Sequence, residues 1–157
     1  MPADTEELFE ECNCLALRQA ARHATQFYDR YLSPAELRTT QFSLLARLKR
    51  LGPMTINALA SELVMDRTTL GRTMLPLERD GLITVKDASS DRRSKELHLT
   101  RAGAERLGAA RKLWSEAQSR FEAGFGAERA SNLRNELRAV TSTELGTSPA
   151  SPRTVRW

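Results

Sequence analysis

At 157 residues with a formal net charge of +4, the chain is long enough for one folded unit with its own core, and its mild basic excess permits contact with a duplex without establishing it. No apolar run approaches the ~18 residues that a membrane span needs, and residues 1 to 11 are too acidic and polar for a secretory leader, so a cytoplasmic protein is expected. The two cysteines, at positions 12 and 14, cannot staple a domain of this size, which points to reduced thiols in a reducing compartment.

Thr5, Glu6 and Glu7 open a long helix predicted to run to about Leu32, where Ser33 and Pro34 stop it; acidic residues near its start suit the helix dipole. Along it Cys14, Leu17, Ala21, Thr25 and Tyr28 share a stripe. Small side chains there let another helix come close, either from a second subunit or from within the chain. Pro34 to Leu37 reads as a short helical turn. Thr39 or Thr40 caps a helix from Gln41 to Leu51, with Phe42, Leu45 and Leu48 toward the core and Gly52-Pro53 as its stop. Lys49 and Arg50 could touch phosphate, with a solvated face as the plainer reading.

The stretch from Thr55 to Thr100 carries the strongest signals. Thr55 is an N-cap for Ile56 to Leu63, in which Ile56, Leu59, Ala60 and Leu63 recur at helical spacing. Val64 and Met65 make a turn, and Asp66 caps a second helix from about Arg67 to Asp80. On that helix Leu70, Met74 or Thr73, and Leu77 face inward. Arg67, Thr68, Thr69, Gly71 and Arg72 gather at the exposed N-terminal end. A helix that offers its first two turns to a major groove needs short hydroxyls near phosphates and thymine methyls, and an arginine that reaches guanine O6 and N7; Arg72 is the candidate base reader. The same spacing also describes a surface helix with solvated charges.

Gly81 ends that helix. Leu82 to Val85 form a β-branched run, and Glu96 to Thr100 alternate as a half-buried strand. The charged segment Lys86 to Lys95 between them, with Asp91, Arg92 and Arg93 at its tip, makes a wing. Adjacent arginines on a projecting hairpin suit the narrow, negative minor groove. Asp91 is read as an orienting partner for Arg93, or as plain turn chemistry. Thr100 caps a long helix from Arg101 to about Phe125, with Leu107, Ala110, Trp114, Ala117, Phe121 and Phe125 in a 3-4 rhythm. Gly124 and Gly126 break it. A last helix from Glu128 to Thr141 has Ala130, Leu133, Leu137 and Val140 as its seam, and Thr143 to Trp157 reads as a mobile tail.

The run MDRTTLGRTMLPLERDGLI from Met65 to Ile83, then Asp91-Arg92-Arg93, then LHLTRAG from Leu97 to Gly103, resembles the MarR family of winged helix-turn-helix regulators over roughly residues 10 to 142. The resemblance implies a mainly α fold with a small β wing: helical dimerisation regions at 5–32 and 101–142, a winged helix-turn-helix lobe at 36–100 and a tail at 143–157. It implies a homodimer on a pseudo-palindromic double-stranded DNA operator, with the helix from Arg67 in the major groove and Arg93, held by Asp91, at the minor groove. Pro76 departs from that pattern, because it removes a backbone bond to Arg72 and can bend the helix.

The segment around Cys14, with Tyr28 following, is similar to the organic-hydroperoxide-sensing branch of the family, where a tyrosine of the other subunit meets the cysteine. Along one helix Cys14 and Tyr28 lie ~21 Å apart, so only a crossing partner could join them. Thr39 stands where that branch has a second tyrosine. Cys12 and Cys14 in one helix would point ~200° apart, which argues against a joint metal or disulfide site. The leading expectation is a transcriptional repressor released by a small aromatic or phenolic ligand, with His23, Arg22 and Arg18 able to receive its carboxylate. The alternatives are an oxidant-sensing repressor using Cys14, with an inert buried cysteine as the plainer reading, and a helical interaction module that does not read DNA. An enzyme is disfavoured: no metal, cofactor or nucleophile arrangement is legible.

Overall fold

A computed structural model of the chain describes residues 9–89, 91 and 93–145. The chain divides into two units, residues 1–118 and 119–157. The first contains α1 (Asn13–Leu32), a 3-10 turn (Ser33–Ala35), α2 (Thr39–Leu51), β1 (Met54–Thr55), α3 (Ile56–Glu62), α4 (Arg67–Arg79), β2 (Ile83–Asp87) and β3 (Lys95–Leu99). It also holds most of α5 (Arg101–Phe125); α6 (Ala127–Ser142) belongs to the second unit. The chain is mainly helical with a small β wing, the fold class that the sequence predicts.

Leucines dominate the core because each helix turns one apolar stripe inward. Leu32, Leu44, Leu45, Leu59, Leu70, Leu77, Ile83 and Leu97 are fully buried, and no buried polar or charged residue interrupts them among the described residues. At ~25 cal/mol per Å2 of apolar surface, each such leucine contributes about 2 kcal/mol. The sheet is antiparallel in the order β1-β3-β2, with Leu97 central between Met54 and Val85. The period of two sends Leu97 inward, while its neighbours Glu96 and His98 remain half-buried.

Two local expectations are corrected, and one element is new. The proposed start of the first helix at Thr5 lies outside the described residues, but the helix does not run unbroken through Cys12. Cys12 is the extended N-cap of α1 (φ −75°, ψ 101°), and its sulfur accepts the Leu15 N–H at 3.4 Å. The ~200° separation expected for two helical cysteines therefore does not apply. Thr39 is the first residue of α2, not its cap: Arg38 caps, with its N–H donating to Gln41 Oε1 at 2.9 Å. Thr39 instead gives its N–H and hydroxyl to Asp29 Oδ1, each at 2.7 Å, which fixes α2 to the end of α1. Strand β1 was not foreseen, since its two residues are too short to show a period.

In the second unit Arg134 pairs with Glu122 at 3.1 Å, and the Arg129 guanidinium lies 4.2 Å from the centre of the Phe125 ring. Ala130 is buried, whereas Leu133, Leu137 and Val140 are 37%, 40% and 41% exposed. The apolar seam expected on this helix thus lies largely open in the single chain.

Candidate nucleic-acid interface

Helix α4 begins at Arg67 because Asp66, in extended conformation, accepts the Thr69 N–H at 2.8 Å. The other oxygen of Asp66 accepts the Thr69 hydroxyl at 2.6 Å. These two bonds from Thr69, the hydroxyl first, hold the Asp66 carboxyl below the usual carboxylate range. Inside, Leu70, Met74 and Leu77 are buried, so Met74 rather than Thr73 takes the inward position. Thr73 returns its hydroxyl to the Thr69 carbonyl at 3.1 Å. Pro76 sits within α4 without ending it.

The outer side of this helix start is open. Arg67, Thr68, Thr69 and Arg72 are all exposed. Among the described residues neither Arg67 nor Arg72 has an ion pair, whereas Arg47, Arg79, Arg101, Arg106 and Arg134 each engage a carboxylate. Arg67 and Arg72, like several other arginines of the described residues, face solvent, and here they do so beside three threonines. Thr69 departs from the expectation: its hydroxyl is committed to the cap, so among the short hydroxyls of the first turn Thr68 is the better placed to donate elsewhere.

The wing is closed by Ala88 N–H to the Ser94 carbonyl at 2.8 Å and Ser94 N–H to the Asp91 carbonyl at 2.9 Å, with a Lys95–Asp87 ion pair below. Asp91 Oδ1 accepts the backbone N–H of Arg93 at 2.9 Å. The carboxylate thus shapes the turn, and it is the Arg93 backbone that it holds. Arg93 itself is exposed; Arg92 lies outside the described residues. At the wing base, Thr100 accepts the Gly103 N–H at 3.0 Å and donates its hydroxyl to the Gly81 carbonyl at 2.7 Å. One residue therefore caps α5 and ties it to the end of α4. The cap was legible in sequence; the second bond, to a residue 19 positions away, was not.

The effector and redox candidates are dispersed. Cys14, Arg18, Arg22 and His23 are exposed on α1, and Tyr28 donates its hydroxyl to Gln118 Oε1 at 2.7 Å. A cleft of about 330 Å3 opens elsewhere, between Leu48, Lys49, Pro53, His98, Leu99 and Arg101. Its wall comes from segments distant in sequence, so no local pattern announces it. Among the described residues there is no cluster of His, Cys, Asp and Glu able to hold a metal ion, and no helix long and apolar enough to cross a membrane.

The model of the MarR family matches residues 37–95, from the end of the 3-10 turn through the wing. Among solved structures the chain is similar to the transcriptional regulator MosR of M. tuberculosis, at 34% identity and a TM-score of 0.72, covering 86% of this chain and 99% of that one. MosR in complex with DNA gives 36% identity and a TM-score of 0.73, covering 86% and 100%. The transcriptional repressor CouR bound to a 23-mer duplex gives 26% and 0.76, covering 90% and 99%. No curated protein matches the chain. These regulators act on transcription and are not enzymes. With a helix-turn-helix lobe that the family model spans and a regulator matched along nearly its whole length, the chain belongs to the MarR family of DNA-binding transcriptional regulators.

Proposed function

We propose that the chain is a homodimeric repressor that binds a pseudo-palindromic operator through α4 and the wing and leaves it when a small aromatic or phenolic acid binds. In this reading Arg67, Thr68, Thr69 and Arg72 meet the major groove, with Arg72 reading a base, and Asp91, Arg92 and Arg93 serve the minor groove. The observation that carries it is the pair Arg67 and Arg72, exposed and free of ion pairs among the described residues at a firmly capped helix start. Cation-mediated release of counterions then supplies affinity, and base contacts supply selectivity. The function is set in the cytoplasm.

Dimerisation is assigned to the regions 5–32 and 101–142, with 36–100 as the DNA-binding lobe and 143–157 as a tail. Leu17 on α1 and Leu133, Leu137 and Val140 on α6 support this assignment, since each leaves 37–41% of its surface open in the single chain. Exposed His23, Arg22 and Arg18 form the basic face to which an effector carboxylate is assigned. Light scattering of the protein with a selected operator tests the reading: two chains per duplex are expected, with loss of the complex on titrating benzoate-type acids. One chain per duplex would refute it.

A second reading places oxidant sensing at Cys14, favoured by its exposure near the start of α1, beside a Cys12 sulfur that caps the same turn. A hydroperoxide would oxidise the Cys14 thiolate to sulfenic acid and be reduced to the alcohol. The Tyr28 hydroxyl, engaged with Gln118, would have to change partner to meet it. Operator release by peroxide in wild type but not in Cys14→Ser supports this reading; equal release of both refutes it.

A further inference from the structure

Three helical segments of the lobe close through a left-handed residue: Glu36 (φ 55°), Val64 (φ 52°) and Gly81 (φ 69°). All three use the same pair of bonds. Val64 N–H reaches the Ser61 carbonyl at 3.1 Å and Met65 N–H the Ala60 carbonyl at 2.8 Å, as Gly81 and Leu82 reach Glu78 and Leu77. This closure favours glycine, because a Cβ crowds the backbone at positive φ and a β-branched side chain crowds it most. Gly81 follows the rule. Glu36 breaks it with a use for its side chain, an ion pair to Arg106 at 3.1 Å.

Val64 breaks it with no such use inside the chain. The residue is 73% exposed, so core packing does not explain a valine where glycine fits better. Strained residues persist where the surrounding structure holds them, and they concentrate at working surfaces. Val64 stands two residues before Asp66, the cap of α4.

We propose that Val64 is a specificity contact, its isopropyl group resting against the 5-methyl of one thymine at the edge of the groove that α4 enters. This rests on the reading of α4 as the DNA-reading helix. The thymine methyl is the apolar feature that a base presents in the major groove, and a short, stiff apolar side chain matches it with little loss of rotamer freedom.

The test compares wild type, Val64→Gly and Val64→Leu on a selected operator, and on copies in which each thymine in turn is replaced by deoxyuridine, which lacks only the methyl. Glycine relieves the backbone, so Val64→Gly should melt about 2–4 °C higher while binding the operator about tenfold more weakly, a loss of ~1.4 kcal/mol. Val64→Leu should stay within about twofold of wild type. One deoxyuridine position should weaken wild type about fivefold and leave Val64→Gly unaffected. Unchanged operator affinity in Val64→Gly, or the same deoxyuridine profile in both proteins, would overturn the proposal. Equal wild-type affinity for every duplex would instead remove the reading of α4, and this inference with it.

Discussion

Replacing Gly103 by alanine should be among the most damaging single changes in the lobe, although alanine is the better helix former. A Cβ built at Gly103 would lie 2.1 Å from the Leu82 carbonyl oxygen and 2.8 Å from Leu99 Cδ1. Ordinary contact begins near 3.4 Å, so α5 and the end of α4 would have to part by more than 1 Å. They are held by Thr100 N–H to the Leu82 carbonyl at 3.1 Å and by the Thr100 hydroxyl to the Gly81 carbonyl at 2.7 Å. Overpacking costs ~1–3 kcal/mol and each weakened hydrogen bond ~1 kcal/mol, against ~1 kcal/mol gained in helix propensity. A net loss of about 3 kcal/mol follows, or ~6–12 °C in melting temperature for a chain of this size. Gly108, in the same helix, is the control: nothing lies within 4 Å of its Cβ position, so Gly108→Ala should stabilise by ~0.5–1 kcal/mol. Urea unfolding of the three proteins measures both values. A Gly103→Ala protein within 1 kcal/mol of wild type, or one that shifts in the same direction as Gly108→Ala, would show that the close approach at Gly103 does not limit stability.

Arg93→Ala should weaken operator binding and reduce the preference for A·T-rich flanks with a narrow minor groove, as read by competition between flank variants; an unchanged preference would remove the wing from the interface. Leu137→Glu places a charge on the exposed seam of α6 and should shift the protein toward monomer in sedimentation experiments, with operator affinity falling in parallel; a stable dimer would move the interface elsewhere. The Asp66 cap carries a pH signature. Its folded-state pKa is depressed by the Thr69 bonds, so its stabilisation is complete above the unfolded carboxylate range and disappears as pH falls through the folded value. The gap in melting temperature between wild type and Asp66→Ala should therefore be largest near neutral pH and close in acid below about pH 4; a pH-independent gap would show that the charge of the cap is irrelevant.

Where one residue decides the local structure, the sequence was informative. Asp66 and Thr100 are short polar caps followed by apolar periodicity, and both cap the helices expected of them. The bounds expected for the long helix, Arg101 to Phe125, are those observed, since a strong cap and a glycine pair mark its ends. Gly81 ends α4 in the left-handed conformation that its residue type favours. Where the outcome depends on competition between neighbours, the pattern misled. Thr39 is a good cap by type, but Asp29 on α1 takes both its N–H and its hydroxyl, and the cap passes to Arg38. Cys12 has no capping preference in general, yet a polarisable sulfur at the helix start suffices to accept one N–H.

The same distinction holds at the candidate site. The exposed group Arg67, Thr68 and Arg72 follows from the 3.6-residue period, which sends Leu70, Met74 and Leu77 inward and leaves these on the other side. The division of labour within the group does not: the Thr69 hydroxyl is drawn into the cap by a carboxylate three residues earlier. Asp91 is read from sequence as an orienting partner for Arg93 or as turn chemistry, and its bond is the turn bond to the Arg93 backbone N–H, because a carboxylate two residues before an N–H reaches it more readily than a long, mobile guanidinium. The strain at Val64 was invisible in one dimension, since a sequence does not show which residue of a turn takes positive φ and only the backbone angle does.

In the proposed function α4 reads base sequence through Arg72. The most direct measurement is selection of bound fragments from a random duplex pool by wild type and by Arg72→Ala, with affinities then measured on single-base variants of the selected site. The prediction is an inverted repeat with half-site centres ~10 base pairs apart, in which one guanine position discriminates by ~1–3 kcal/mol for wild type and loses that discrimination in Arg72→Ala. A selected pool with no shared motif, or an Arg72→Ala protein with every base preference intact, would contradict it.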